Sequence, residues 1–366
     1  MANDRGISMM RSVATAAFVL AMGMSTAVTS GFEEPASEKP TSQPASQPAE
    51  PEGVDAMKIE AAALMPSAES SFLKRFLGAV ERLPRIGARK LYVYSDRRTA
   101  ISEAAYKKLA ESEREAYTER ESSETLYYYT RYGSPLAYSR VLEILAKHEF
   151  GDLTGQRVLD FGYGSVGHLR LMAECGVDAV GVDVDPFLTA LYSEKKDQGA
   201  VPVASGRAGK VTLVEGRWPS EEGVIKAVGG GFDVITSKNT LKNGYLHPEK
   251  EVDPRMLVDL GVSDEDFVNH LNKALKPGGV VLIYNICPAP APADKPYIPW
   301  ADGRCPFSKE MWEKGGFKVL AFDEDDSKAV RRMGRLLGWD KGDRPMDLEN
   351  DLSASFTIVQ KARRAP

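Results

Sequence analysis

The residues best suited to chemistry lie between 158 and 183. Val158-Leu159-Asp160-Phe161 reads as a strand, and Gly162-Tyr163-Gly164-Ser165-Val166-Gly167 follows it directly as G-x-G-x-x-G at a helix start. Glycines there let the chain turn tightly and let a ligand approach the backbone, and a helix start offers unbonded N–H groups. The glycine pattern alone is weakly specific, but two carboxylates sharpen it. Asp160, two residues before Gly162, would repel a pyrophosphate and suits a cationic or ammonium-bearing ligand. Asp183 closes the next strand, Val180-Gly181-Val182-Asp183, where a carboxylate can accept both hydroxyls of a ribose. The competing reading of each is a strand-end residue or a helix cap.

The elements that must position these groups alternate strand and helix. Strands are expected at 157–161, 179–182, 211–214, 232–236 and 280–284, with helices at 169–175, 186–198, 221–228 and 264–275 between them. Such alternation builds a parallel sheet covered by helices. The chain then changes rhythm: helix 308–314, strand 317–322, helix 329–337, strand 355–360. Upstream, helices are expected at 67–83, at 99–121 and up to 150, with a short strand at 90–94.

With these motifs in place, the sequence resembles the class I S-adenosylmethionine-dependent methyltransferases from about residue 127 to residue 360. The resemblance rests on V-L-D-F-G-Y-G-S-V-G, on G-V-D-V-D-P at 181–186, on G-F-D-V-I-T-S at 231–237, on L-K-P-G-G-V-V-L-I at 275–283, and on the segments 315–319 and 356–360 as a terminal antiparallel pair. It implies a Rossmann-like seven-stranded sheet, mostly parallel with the last strand antiparallel, and S-adenosylmethionine as cofactor. Asp160 would then face the methionine ammonium. Gly162, Tyr163, Gly164 and Gly167 would line the cofactor, Asp183 would hold the ribose, Val184 would lie against the adenine, and Ser237 would sit at the active centre. Where many members carry an acid near the adenine amine, this chain has Arg217; Arg217 or Trp218 would stack on the adenine instead, or else serve as a surface residue and a packed one. Ser237-Lys238-Asn239-Thr240 departs from the N/D-P-P-Y pattern of adenine-base methylases.

Methyl transfer from a sulfonium needs positioning first, and needs a base only for a protonated nucleophile. His247 and Tyr245, in the loop after the fourth strand, and Lys238 at that strand's tip are the candidates. Tyr129, Tyr132 and Ser134, ahead of the first motif, are candidates to cover cofactor or substrate; the alternative is that the tyrosines pack against the sheet. His148 and His270 read as structural, and His168 as exposed.

Composition narrows the class further. The net charge is −5, concentrated in residues 31–55, so the body of the chain is nearly neutral and a nucleic-acid partner is not expected. Three cysteines without C-x-x-C and four scattered histidines give no metal site; Cys287 and Cys305 either pair or remain free thiols. Arg5 and Arg11 before an apolar run suggest that residues 1–30 are a signal peptide or leader for export, with no membrane span after its removal. Residues 31–55 read as a Pro/Ser/Glu-rich linker, 56–125 as a helical N-terminal extension serving as a lid, and 126–366 as the methyltransferase domain. The substrate expected is a small molecule, with a protein acceptor possible. Two rivals remain: a non-catalytic exported binding module, since S-adenosylmethionine is a cytoplasmic metabolite, and a nicotinamide-dependent oxidoreductase.

Overall fold

The computed structural model describes residues 51–96, 99–203, 207–342 and 345–363; the leader and most of the linker lie outside them. Helix α1 (Gly53–Leu64) begins inside the segment expected to be linker, because Val54, Met57, Ala61 and Leu64 form a buried stripe at helical spacing. Helix α2 (Ser71–Gly78) starts at Ser70, whose hydroxyl accepts from the Leu73 N–H, and buries Phe72, Leu73, Phe76 and Leu77.

The expected helix at 99–121 is corrected. Strand β1 (Arg89–Tyr94), β2 (Ala100–Ser102) and β3 (Tyr117–Ser122) form an antiparallel sheet in the order β2-β1-β3. Only two single turns, α3 (Glu103–Tyr106) and α4 (Glu111–Arg114), are helical, and neither buries a residue. The alanine-rich, charged composition favours helix locally, but without an apolar stripe a helix gains nothing from packing. Strand pairing, with Tyr106 stacked on Tyr92 at 3.7 Å, wins instead. Helix α5 (Glu124–Tyr129) leads out of this sheet.

Next come helix α6 (Ser139–Lys147), β4 (Arg157–Phe161), α7 (Gly167–Glu174), β5 (Asp178–Asp183), α8 (Pro186–Leu191), β6 (Gly199–Val201), β7 (Gly209–Glu215), α9 (Glu222–Val228) and β8 (Phe232–Lys238). They are followed by α10 (Asn243–Leu246), α11 (Asp264–Ala274), β9 (Leu275–Cys287), α12 (Lys309–Lys314), β10 (Phe317–Asp325), α13 (Ser327–Leu336), α14 (Leu348–Asp351) and β11 (Ser353–Lys361). The sheet order is β10-β11-β9-β8-β4-β5-β7-β6. Strands β7, β5, β4, β8 and β9 are parallel, and β11 enters antiparallel between β9 and β10. This is the expected seven-stranded sheet, mostly parallel with its last strand antiparallel. The short antiparallel β6 adds an eighth strand on β7, just after a segment expected to be helix to residue 198, of which α8 covers only Pro186–Leu191.

One core layer lies between the sheet and α5–α8 and α13; the other lies under α9, α11 and α12. Helices α1 and α2 pack on the outer side of the first layer, and the small sheet packs on α8. The N-terminal extension is therefore a third layer rather than a lid. One of its bonds to the core is made by Arg89, whose guanidinium grips the Asp197 carboxylate through two hydrogen bonds of 2.7 and 2.8 Å and also donates to the Leu191 carbonyl. Asp197 is fully buried and accepts from Tyr127 as well. Among the described residues no helix is long and apolar enough to cross a membrane, and Cys175, Cys287 and Cys305 are free, buried thiols.

Removing one member of a buried ion pair leaves an uncompensated charge and costs about 3–5 kcal/mol. Arg89→Ala is expected to lower unfolding stability by that amount in urea titration; a loss below about 1 kcal/mol would show that the extension does not depend on this pair.

Candidate active site

The parallel strands end together at one edge of the sheet, where ligands bind in folds of this kind. Asp160 on β4 and Thr236 on β8 are register partners there. The Asp160 side chain is completely buried, and three donors from three elements hold it. Tyr138 gives a short hydroxyl bond and His168 Nε2 lies at 2.8 Å, both on Oδ2, while Thr236 donates to Oδ1 at 2.7 Å. The Tyr138 and His168 rings stack at 3.7 Å. Burial lowers the His168 pKa, opposed by the hydrogen bond to Asp160, so the ring is neutral and serves as an N–H donor. His168, expected to be exposed, is thus part of the site, and Asp160 is saturated by protein donors rather than open to a ligand ammonium.

Four amides of the glycine loop have partners within the chain. Gly162 N–H donates to the Val182 carbonyl, Gly164 N–H to Asp183 Oδ2 at 3.1 Å, Ser165 N–H to the Tyr163 carbonyl and Val166 N–H to the Tyr192 hydroxyl. A loop that binds phosphates offers such amides to the ligand; these four are already engaged. Gly162 and Gly164 have φ of +73° and +58°. A Cβ on Gly162 would strike Thr240, and one on Gly164 would come within 2.7 Å of the Tyr132 ring. At Gly167 a Cβ would meet the Tyr128 carbonyl and Pro135, so this glycine serves packing of the preceding segment.

Asp183 closes β5 beside the loop, accepting also from the Asp185 N–H at 3.1 Å; burial raises its pKa, and the Gly164 and Asp185 amides oppose the rise. Val184 beside it is 60% exposed, an apolar surface free to receive a flat ring. Arg131 bonds both Asp185 and the Tyr132 hydroxyl at 2.8 Å, so Tyr132 rests over Gly164 on a strap. Thr130 starts the strap at φ +50°, held by its hydroxyl to the Gly164 carbonyl at 2.9 Å.

Other expected site residues lie elsewhere. Trp218 is 2% exposed and packs with Phe161 and Phe267 in the core, so it is not available for stacking. Arg217 is exposed and pairs with Asp259 at 3.2 Å. Tyr163 turns its ring inward against Gly181. Tyr129 is fully buried, and it and Ser134 both donate to Glu60 of α1, which makes them tethers of the extension rather than substrate contacts. His247 is tied to Asp264 at the start of α11, 2.9 Å away, and has no contact with the Asp160 cluster. Tyr245 lies under the Lys242 ammonium, 5.7 Å from it, with Tyr132 among its electrostatic neighbours. Ser237 is buried with its hydroxyl unpartnered, and Lys238 lies 5.6 Å over the Tyr138 ring.

The sequence model of a family described as a methyltransferase domain matches residues 129–321, more than half of the chain. The chain belongs to the class I S-adenosylmethionine-dependent methyltransferases. Solved structures similar to it include a putative sarcosine dimethylglycine methyltransferase from Galdieria sulphuraria (14% identity, 61% of this chain and 86% of that one, TM-score 0.34). A phosphoethanolamine N-methyltransferase from Haemonchus contortus shares 16% identity over 68% of this chain and 63% of that one, with a TM-score of 0.36. The magnesium protoporphyrin IX methyltransferase of Synechocystis shares 15% over 64% and 82%, with a TM-score of 0.32. No curated protein matches. The family cofactor is S-adenosylmethionine, and the residues fit it: a phosphate-free cofactor suits a loop with four of its amides already bonded, and Asp183 offers a carboxylate and Val184 an exposed apolar surface beside that loop.

Glu60 supplies a pH signature of the tether. Burial raises its pKa to about 7, against the hydrogen bonds from Ser134 and Tyr129. A carboxyl whose folded pKa exceeds its unfolded one binds more protons when folded, so stability falls as pH rises from about 4.5 to about 7 and is flat above. Glu60→Gln is expected to remove that part of the slope in unfolding free energy measured from pH 5 to pH 8; identical slopes would contradict the assignment.

Proposed function

We propose that this chain transfers a methyl group from S-adenosylmethionine to a small-molecule acceptor by in-line displacement. The observation that carries the reading is the loop with the Gly162, Gly164, Ser165 and Val166 amides bonded within the chain, standing beside the Asp183 carboxylate at the sheet edge. That arrangement is poor for a pyrophosphate and apt for a nucleoside joined to an amino acid. When bound, the cofactor supplies an already activated methyl group, and the chain's contribution is orientation, worth roughly 7–11 kcal/mol in favourable cases.

Asp183 receives the ribose hydroxyls while its Gly164 bond fixes the carboxylate in place. Val184 offers the adenine an apolar face, and the Tyr132 strap covers the loop. Of the candidate bases, His247 is half-exposed and committed to Asp264, and Tyr245 lies under the Lys242 ammonium; Lys238 is a further ionisable group at the cleft. For the acceptor, a cavity of about 490 Å³ lies at the same sheet edge under the proline-rich loop, lined by Cys287, Tyr297, Ile298, Arg304, Asp323 and Ser355 among others. Its size suits a small molecule. Residues 1–30 we read as an export leader, on the basis of Arg5, Arg11 and the apolar run alone.

Calorimetry on the full chain tests the reading with S-adenosylmethionine and NAD as titrants. S-adenosylmethionine is expected to bind, and Asp183→Ala to weaken it by about 1–3 kcal/mol through lost charge-assisted hydrogen bonds. Binding of NAD alone would overturn the reading, and an unchanged dissociation constant in the variant would remove Asp183 from the ribose.

A further inference from the structure

Lys238 is the last residue of β8, paired in register with Tyr284. Thr236, two residues earlier and therefore on the same face of the strand, bonds Asp160. Lys238 sits over one face of Tyr138 while His168 stacks on that ring. Among the described residues no carboxylate, carbonyl or hydroxyl accepts a hydrogen bond from its ammonium. Lys242, four residues on, shows the contrast: its ammonium donates to the Ile286 carbonyl at 2.6 Å and to the Trp300 carbonyl at 3.3 Å.

We propose that Lys238 is the receptor for a carboxylate in the cleft, and that this carboxylate is the amino-acid carboxylate of the cofactor. The assignment rests on the S-adenosylmethionine reading above. It follows from charge and valence. The groups around Lys238 are Asp160, His168, Tyr138 and Lys242. Asp160 attracts the ammonium through space, but its oxygens already hold Tyr138, His168 and Thr236, so it forms no direct pair. His168 is neutral, Tyr138 presents its ring, and Lys242 is a like charge occupied with carbonyls. Burial draws Lys238 down to about 8, so the ammonium form predominates at neutral pH. A cation in that state is stabilised by an anion with which it can hydrogen-bond. The site is beside the glycine loop, since β8 adjoins β4. The cofactor carries one carboxylate; the other source of the same chemistry is an acidic acceptor.

The experiment is calorimetry on the full chain with S-adenosylmethionine and with its decarboxylated analogue, which keeps the sulfonium and the amine. Wild type is expected to bind S-adenosylmethionine at least tenfold more tightly than the analogue. Lys238→Met should lose about tenfold to hundredfold toward S-adenosylmethionine, bind the analogue within about twofold of wild type, and so lose the discrimination. Lys238→Arg should retain part of it. Equal binding of the two ligands by wild type overturns the proposal without any variant. Discrimination that survives in Lys238→Met overturns it too, as does unchanged S-adenosylmethionine affinity in that variant, which would leave the ammonium to an acidic acceptor. Absence of S-adenosylmethionine binding by wild type would instead be the failure of the functional reading.

Discussion

A carboxylate with no exposure to water has to find hydrogen-bond donors, and Asp160 finds them on three different elements. Tyr138 comes from the turn before α6, His168 from the first turn of α7 and Thr236 from the neighbouring strand β8. This requirement fixes how the first core layer meets the sheet at its carboxyl edge. A buried polar network rigidifies when every member is satisfied and is costly when one is not. Here the network holds the start of α7, and hence the glycine loop, against β4. It also holds Tyr138 as a platform on which Lys238 rests.

The same edge sorts its charges by accessibility. Asp160 is used internally. Asp183, one strand over, is held by the Gly164, Asp185 and Val184 amides and, unlike Asp160, is only partly buried. Val184 is exposed, and among the described residues Lys238 has no hydrogen-bond acceptor. A carboxylate, an apolar surface and an ammonium therefore stand beside a glycine loop with four of its amides already bonded. That combination matches a cofactor with a ribose, a purine and an amino-acid end better than one with phosphates. The N-terminal extension contributes from behind, through Glu60 on Tyr129 and Ser134, the residues that flank the Tyr132 strap.

What was legible in the sequence was local. The strand, the glycine turn and the acid at the next strand's tip lie within a short stretch, and their spacing dictated where Asp183 and the loop would be. The parallel order followed from the alternation of β-branched runs with helical ones. What was not legible depended on residues far apart in the chain. The partners of Asp160 lie 22 residues before it and 8 and 76 after it, so nothing near Asp160 announces that it is saturated or that His168 turns inward. Trp218 reads equally well as a stacking residue or a core one until Phe161 and Phe267 close on it. Residues 99–121 have helical composition, but the decision belonged to the pairing of β1 with β2 and β3, set by residues outside the segment. The departure of Ser237-Lys238-Asn239-Thr240 from the adenine-base methylase pattern was visible, yet that Lys238 finds no acceptor among the described residues was a fact of packing.

The central claim is that Asp160 is an internal anchor while Asp183 and Lys238 face the ligand. It is tested most directly by determining the structure of the chain with S-adenosylhomocysteine bound. The account predicts the ribose hydroxyls on Asp183, the adenine against Val184, and Asp160 still holding Tyr138, His168 and Thr236. A nucleoside bound away from Asp183, or an Asp160 carboxylate released from those donors to take the ligand ammonium, would contradict it.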